Sequence, residues 1–133
     1  MVTTFPQLLI YGFFAPTLLR ITAGITLFFL AHSFWRERAE IIKIIFPIIG
    51  RMPRWLVWFS ILFEVAVGIA LVVGYGTQVA AILGIITALK HLFWWKRFAH
   101  LLPFSRSTYY LLAVICISLL FTGAGALAFD LPV

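Results

Sequence analysis

The chain predicts an all-α integral membrane protein, a bundle of four transmembrane helices with a short interfacial segment between the first and second. Three observations carry that prediction. Of 133 residues, 64% are hydrophobic and only 11% charged, where a soluble domain carries about 25% charged residues. A domain this small leaves much of its side-chain area outside, so the solvent around most of it must be lipid, as a mean hydropathy of +1.12 also implies. Long apolar runs approach the roughly 20 residues a helix needs to cross the hydrocarbon. Backbone amides cannot stay unpaired there, and the alternation of a lipid-facing barrel is absent, so the runs predict helices.

The whole chain, 1–133, reads as a single integral membrane domain with spans at about 17–34, 55–73, 77–93 and 108–129. The first is "TLLRITAGITLFFLAHSF". Ahead of it, "FPQLLIYGFFAP" either lies in the interface or extends the span with a kink at Pro16. The connection at 35–54 contains "EIIKIIFPIIG", too short and too charged to cross and interrupted by Pro47 and Gly50. An interfacial half-helix fits that composition. The second span, "WLVWFSILFEVAVGIALVV", turns through "GYGT" into the third, "TQVAAILGIITALKHLF", the glycines supplying the backbone angles of a tight turn. "TYYLLAVICISLLFTGAGALAF" is the fourth.

Basic residues set the orientation. Arg36, Arg38, Lys43, Arg51 and Arg54 follow the first span, while Lys90, Lys96, Arg97 and Arg106 lie at or after the end of the third; of the ten Lys and Arg residues only Arg20 lies toward the other face. The positive-inside rule places both long connections in the cytoplasm and both termini outside an inner or plasma membrane. Trp35, Trp55, Trp58, Trp94 and Trp95 fall near the same ends, as an interfacial aromatic belt requires. No basic n-region precedes the first span, which predicts an uncleaved, reversed anchor. The net charge of +6 is explained by this topology, and no basic-aromatic soluble module points to nucleic acid. The single cysteine, Cys116, excludes an intrachain disulfide, a Cys-x-x-Cys redox pair and a thiolate-clustered metal site; no metal is expected.

Polar groups inside the spans are the functional candidates. Glu64 sits mid-span, where a charge costs roughly 2.5–3.5 kcal/mol on insertion scales. Its neighbours at four-residue spacing, Ser60 and Gly68, are small enough to admit another helix closely, so its face is expected to turn inward. Arg20 is the expected ion partner, at a similar depth if the first helix begins early. The pairing either holds the first two helices together or forms a proton-accepting, ligand-orienting group in a shared cavity. His32 and His91 close similar strings, "HSFWRER" and "HLFWWKR". Two such imidazoles can ligate a haem or metal, but aromatic-then-basic endings are common to inward-facing helix ends. Haem is therefore disfavoured against a hydrogen-bonded role facing a headgroup or quinone ring. His100 reads as solvated. The candidate intramembrane site is thus Glu64, Arg20, His32 and His91.

These residues resemble the DoxX family of small four-helix membrane proteins. "LLRITAGITLFFLAHSF" has its Arg, its Gly four residues on and its Ala-His pair; "LFEVAVGIALVVGYGTQVAAIL" is similar to its Glu, then Gly, then Gly-containing turn; "GAGALAFD" resembles its closing segment, here ending in Asp130. The likeness covers most of the chain and departs from the family after His32, where Ser33 and Arg36 replace the usual Gly and Lys. It implies a four-helix membrane protein and, for one branch, the membrane subunit of a thiosulfate:quinone oxidoreductase working with a partner chain. Two functions follow as expectations. One is a quinone-linked redox subunit, with electrons delivered by a partner because this chain shows no cysteine pair and no flavin fingerprint. The other is a non-catalytic accessory subunit of a larger membrane complex. Besides the lipid bilayer, a partner subunit or a second copy of the chain is expected.

Overall fold

The computed structural model describes residues 7, 11–12, 14–43, 45–46, 50–51, 53–99 and 104–123. Four main helices build it: α1 (Phe14–Arg36), α3 (Arg54–Val73), α4 (Thr77–Phe93) and α6 (Arg106–Thr122), with the short α2 (Arg38–Lys43) and α5 (Trp95–Phe98) in the connections. Pro47, His100, Asp130, residues 124–129 of the expected fourth span and most of the stretch ahead of α1 lie outside the described residues.

The buried positions explain why these helices bundle. On α1 the interior stripe runs Thr17, Arg20, Gly24, Leu27, Ala31, Phe34; on α4 it runs Thr77, Ala81, Gly84, Ala88, His91; on α6 it runs Tyr109, Leu112, Cys116, Leu119. Steps of three and four residues alternate along each stripe, the 3.5-residue repeat that keeps one seam facing its neighbour in a left-handed bundle. α1 packs most extensively against α3, and α4 against α6; narrower α3–α4 and α1–α6 seams close the ring.

Side-chain chemistry across this ring is inverted relative to a soluble bundle. Arg20 and Glu64 are 0% exposed, while Phe121 is 83% and Leu18 68% exposed. Thr17, Thr77, Thr87 and His91 are also interior. Apolar outer faces this extensive are incompatible with a free surface in water. The close contacts use small residues, as in lipid where packing replaces the hydrophobic drive between helices. A Cβ on Gly24 would lie 2.9 Å from the Gly68 carbonyl oxygen, so the α1 and α3 backbones nearly touch; a Cβ on Gly84 would lie 2.7 Å from Cys116 Sγ, across α4 and α6. Among the described residues two helices, α1 with 23 residues and α3 with 20, are long and apolar enough to cross a membrane, while α4 and α6 are shorter apolar helices of 17 residues each.

The α3–α4 turn follows the glycine logic of the sequence. Gly74 and Gly76 adopt φ of 80° and 57°, and the Gly74 and Tyr75 N–H groups both donate to the Ala70 carbonyl, closing the last turn of α3. Gly74→Ala places a Cβ in the left-handed region and is expected to cost about 1 kcal/mol, read as a lower midpoint in denaturant titration of the detergent-solubilised chain; an unchanged midpoint contradicts it.

The first connection is more elaborate than a single half-helix. After the six-residue α2, Ile45–Phe46 (β1) pairs antiparallel with Gly50–Arg51 (β2), Ile45 opposite Arg51 and Phe46 opposite Gly50. Phe46 is extended because the residue before a proline is steered away from the α region. Ile41, fully buried, anchors α2 to the bundle.

Candidate functional site

The short turn of α3 into α4 fixes their register. Ser60 and Lys90 lie equidistant from Tyr75 in sequence, which brings them to one level on neighbouring antiparallel helices. Side chains tilt toward the N-terminus of their own helix, so Glu64 on α3 leans one way along the bundle and His91 on α4 leans the other. They meet. His91 Nε2 lies 2.7 Å from Glu64 Oε1, and Lys90 Nζ donates to the same oxygen at 3.1 Å and to Ser60 Oγ at 2.6 Å. The side chains of Glu64 and His91 are 0% exposed and that of Lys90 is 34% exposed. An isolated buried carboxylate is penalised by several kcal/mol of lost solvation; here the ammonium and the imidazole compensate that loss at one oxygen. Glu64 Oε2, also buried, has no hydrogen-bond partner among the described residues.

Aromatic rings hold the imidazole. Tyr109 of α6 stacks on His91 with centroids 5.3 Å apart and planes at 6°, while Phe34 of α1 meets it edge-on at 5.5 Å. All four main helices therefore contribute to one cluster. The cluster reaches outward through Lys90, which lines an open groove of about 640 Å³ together with Ile86, Leu89, Leu92, Phe93, Trp94 and Tyr110.

Of the four candidates, the structure brings Glu64 and His91 together. Arg20 is completely buried, but the hydrogen bonds that Glu64 accepts come from α4. The reason is the α1–α3 register: Gly24 faces Gly68 and Val72, and Gly68 faces Phe28, so Arg20 sits opposite the end of α3, roughly 15 Å along the axis from Glu64 at a rise of about 1.5 Å per residue. His32 stands on the exposed face of α1, its ring 6.2 Å from that of Trp35, whereas His91 is interior; the two imidazoles do not converge on one cofactor. Glu64 and His91 are joined by no third His, Cys, Asp or Glu that would complete a metal-binding group among the described residues.

Lys90, Ser60, Tyr109 and Phe34 are the site residues that sequence reasoning did not assign. Lys90 was legible: a tight helical hairpin fixes which residues of its two arms share a level, and Ser60 with Lys90 follows from counting outward from the turn. Tyr109 and Phe34 depend on the rotation of α6 and α1, which no local signal encodes.

A membrane four-helix bundle with small-residue crossings and a buried carboxylate–imidazole pair is the class that fold and site define. The chain belongs to the DoxX family, which it matches over residues 15–97, a stretch holding Glu64, Lys90 and His91 but not Tyr109. It is a DoxX family membrane protein. No curated protein and no solved structure matches it.

Proposed function

We propose that this chain is the quinone-binding membrane subunit of a redox assembly, with the quinone headgroup docked beside Lys90. The carrying observation is the position of that ammonium between the buried Glu64 carboxylate and the aromatic-lined groove. An ammonium has three N–H donors; Ser60 and Glu64 take two, and the third is offered to a carbonyl oxygen of the ring. Phe93, Trp94 and Tyr110 supply flat apolar surface for that ring, and the remaining groove residues are aliphatic, suited to a prenyl tail. These residues fit the group. A quinone accepts two electrons and two protons to become a quinol; a partner protein carrying a redox centre supplies the electrons. Lys90 and the Glu64–His91 pair behind it orient the headgroup and stand in line to pass protons to its oxygens.

The test is binding of a short-chain benzoquinone to the full chain in nanodiscs, read by tryptophan quenching. Lys90→Met keeps the apolar stem and removes the charged donor, and is expected to weaken binding about tenfold, the size of one charge-assisted hydrogen bond. Glu64→Gln preserves insertion and lowers quinone-dependent turnover of the assembly. Equal affinity in Lys90→Met and parent would sink the proposal, as would a parent chain that retains no quinone; the latter result returns the chain to an accessory role.

A further inference from the structure

Outside the Glu64 cluster, the described basic residues at the end of the bundle shared by the α1 C-terminus and the α6 N-terminus differ in what holds them. Arg36 faces Glu37 at 3.7 Å and Lys43 faces Glu40 at 3.1 Å. Arg38 and Arg106 take part in no ion pair among the described residues and are held by rings instead. The Arg38 guanidinium lies 4.8 Å from the centroid of Trp35 and 5.8 Å from that of Trp58, and donates once, through Nη1, to the Trp35 carbonyl at 2.8 Å. The Arg106 guanidinium lies 5.9 Å from both Trp95 and Tyr110.

Such stacking has a directional consequence. A ring attracts a guanidinium without acting as a hydrogen-bond acceptor of the carboxylate kind, so the planar fork that matches two oxygens of one phosphate stays largely available. A carboxylate partner would instead occupy those donors. Trp35 and Trp58, each about 40% exposed (40% and 41%), belong to the side-chain type that settles at the headgroup level, where the phosphates of lipids are found. Arg38, on α2, is held by rings of α1 and α3, and Arg106, on α6, by rings of α5 and α6, so the two clamps stand on different halves of the bundle.

We propose that Arg38, between Trp35 and Trp58, and Arg106, between Trp95 and Tyr110, are two binding sites for the phosphate of an anionic phospholipid. Charge complementarity selects the anionic headgroup over a zwitterionic one, whose own cation competes for the phosphate. The indole and phenol rings cover the glycerol and upper acyl region while the guanidinium fork takes the phosphate oxygens. The Arg38 clamp shares no residue with the groove beside Lys90, whereas the Arg106 clamp shares Tyr110 with it, so the Arg38 site is tested separately from quinone binding.

Native mass spectrometry of the full chain, released from detergent after equilibration with phosphatidylglycerol or with phosphatidylcholine of the same acyl chains, tests this. The parent is expected to retain up to two phosphatidylglycerol molecules in preference to phosphatidylcholine. Arg38→Gln and Arg106→Gln each remove one, with about a tenfold loss of affinity at that site, the scale of a charge-assisted pair. The double variant R38K/R106K keeps the charge without the planar fork and is expected to hold less lipid than the parent. Circular dichroism confirms that each variant keeps its helices; Arg38→Gln with Arg106→Gln alters polar residues outside the packing stripes, and a variant that loses its helices contradicts the peripheral role assigned here. Equal retention of both lipids by the parent overturns the proposal. Full retention by R38K/R106K also overturns it, since charge alone then accounts for binding. Displacement of the retained lipid by inorganic phosphate at equal concentration overturns the assignment to a lipid headgroup.

Discussion

Gly24→Ala weakens the bundle by about 1–3 kcal/mol, the cost of overpacking a site that cannot relax. The added methyl meets Val72 Cγ2 at 2.5 Å and, more consequentially, the Gly68 carbonyl oxygen at 2.9 Å. A side chain can rotate away, but the carbonyl belongs to the α3 backbone, so the helices must separate and the 3.5-repeat seam loosens along its length. Gly84→Ala provides the contrast. Its methyl meets Cys116 Sγ at 2.7 Å and nothing closer than Cys116 Cβ at 3.8 Å thereafter, so Cys116→Ala removes the obstruction. The double variant G84A/C116A is expected to recover most of the stability that G84A loses, whereas V72A leaves the G24A defect largely in place. Coupling energies from denaturant titration in mixed micelles measure both. Rescue of G24A by V72A would show that the α1–α3 crossing is set by side chains rather than by backbone contact.

Glu64→Ala is expected to cost about 2–4 kcal/mol. Removing one member of a buried ion pair strands its partners at roughly 3–5 kcal/mol, and Lys90, at 34% side-chain exposure, recovers part of that by turning toward the groove. His91 has no such exit: its ring is clamped between Tyr109 and Phe34 and loses its Glu64 acceptor. Glu64→Gln keeps an oxygen able to accept from both neighbours, and its cost is about 1 kcal/mol, the net value of a hydrogen bond. A second substitution separates the two contributions. Lys90→Met in the Glu64→Gln background adds little, whereas Lys90→Met alone leaves the carboxylate supported only by the imidazole and is the more damaging. Thermal melts in detergent distinguish these variants, and an E64A chain as stable as the parent would falsify the pairing as a structural element.

The fold was largely written in composition and spacing. The third span, 77–93, coincides with α4 because turn glycines precede it and an aromatic-basic ending follows it, two local signals with fixed offsets. The second span, 55–73, ends with α3 at the same glycine turn and starts one residue after the helix does. In the first connection the proline warning was legible, but the pairing of Ile45–Phe46 with Gly50–Arg51 was not, since two-residue strands leave no periodicity to read. In the site, Glu64 announced itself by its cost in an apolar run. Its expected partner Arg20 was chosen by charge and depth. Depth along a separate helix depends on the crossing register, and that register is set by where Gly24 meets Gly68, a long-range contact. Lys90, legible from the hairpin count, reads first as a marker of orientation because it ends a span, while its flexible stem in fact carries the ammonium back toward the carboxylate.

The bundle divides unevenly, with close crossings inside the α1–α3 and α4–α6 pairs and thinner seams between them. Each pair is therefore the more cohesive body, and sliding is easiest where one borders the other. Glu64 rides on the first body while Lys90 and His91 ride on the second, so their contact is a latch across the plane of shear. A displacement of one half against the other would therefore reach the Glu64 contacts before it disturbed the tight crossings.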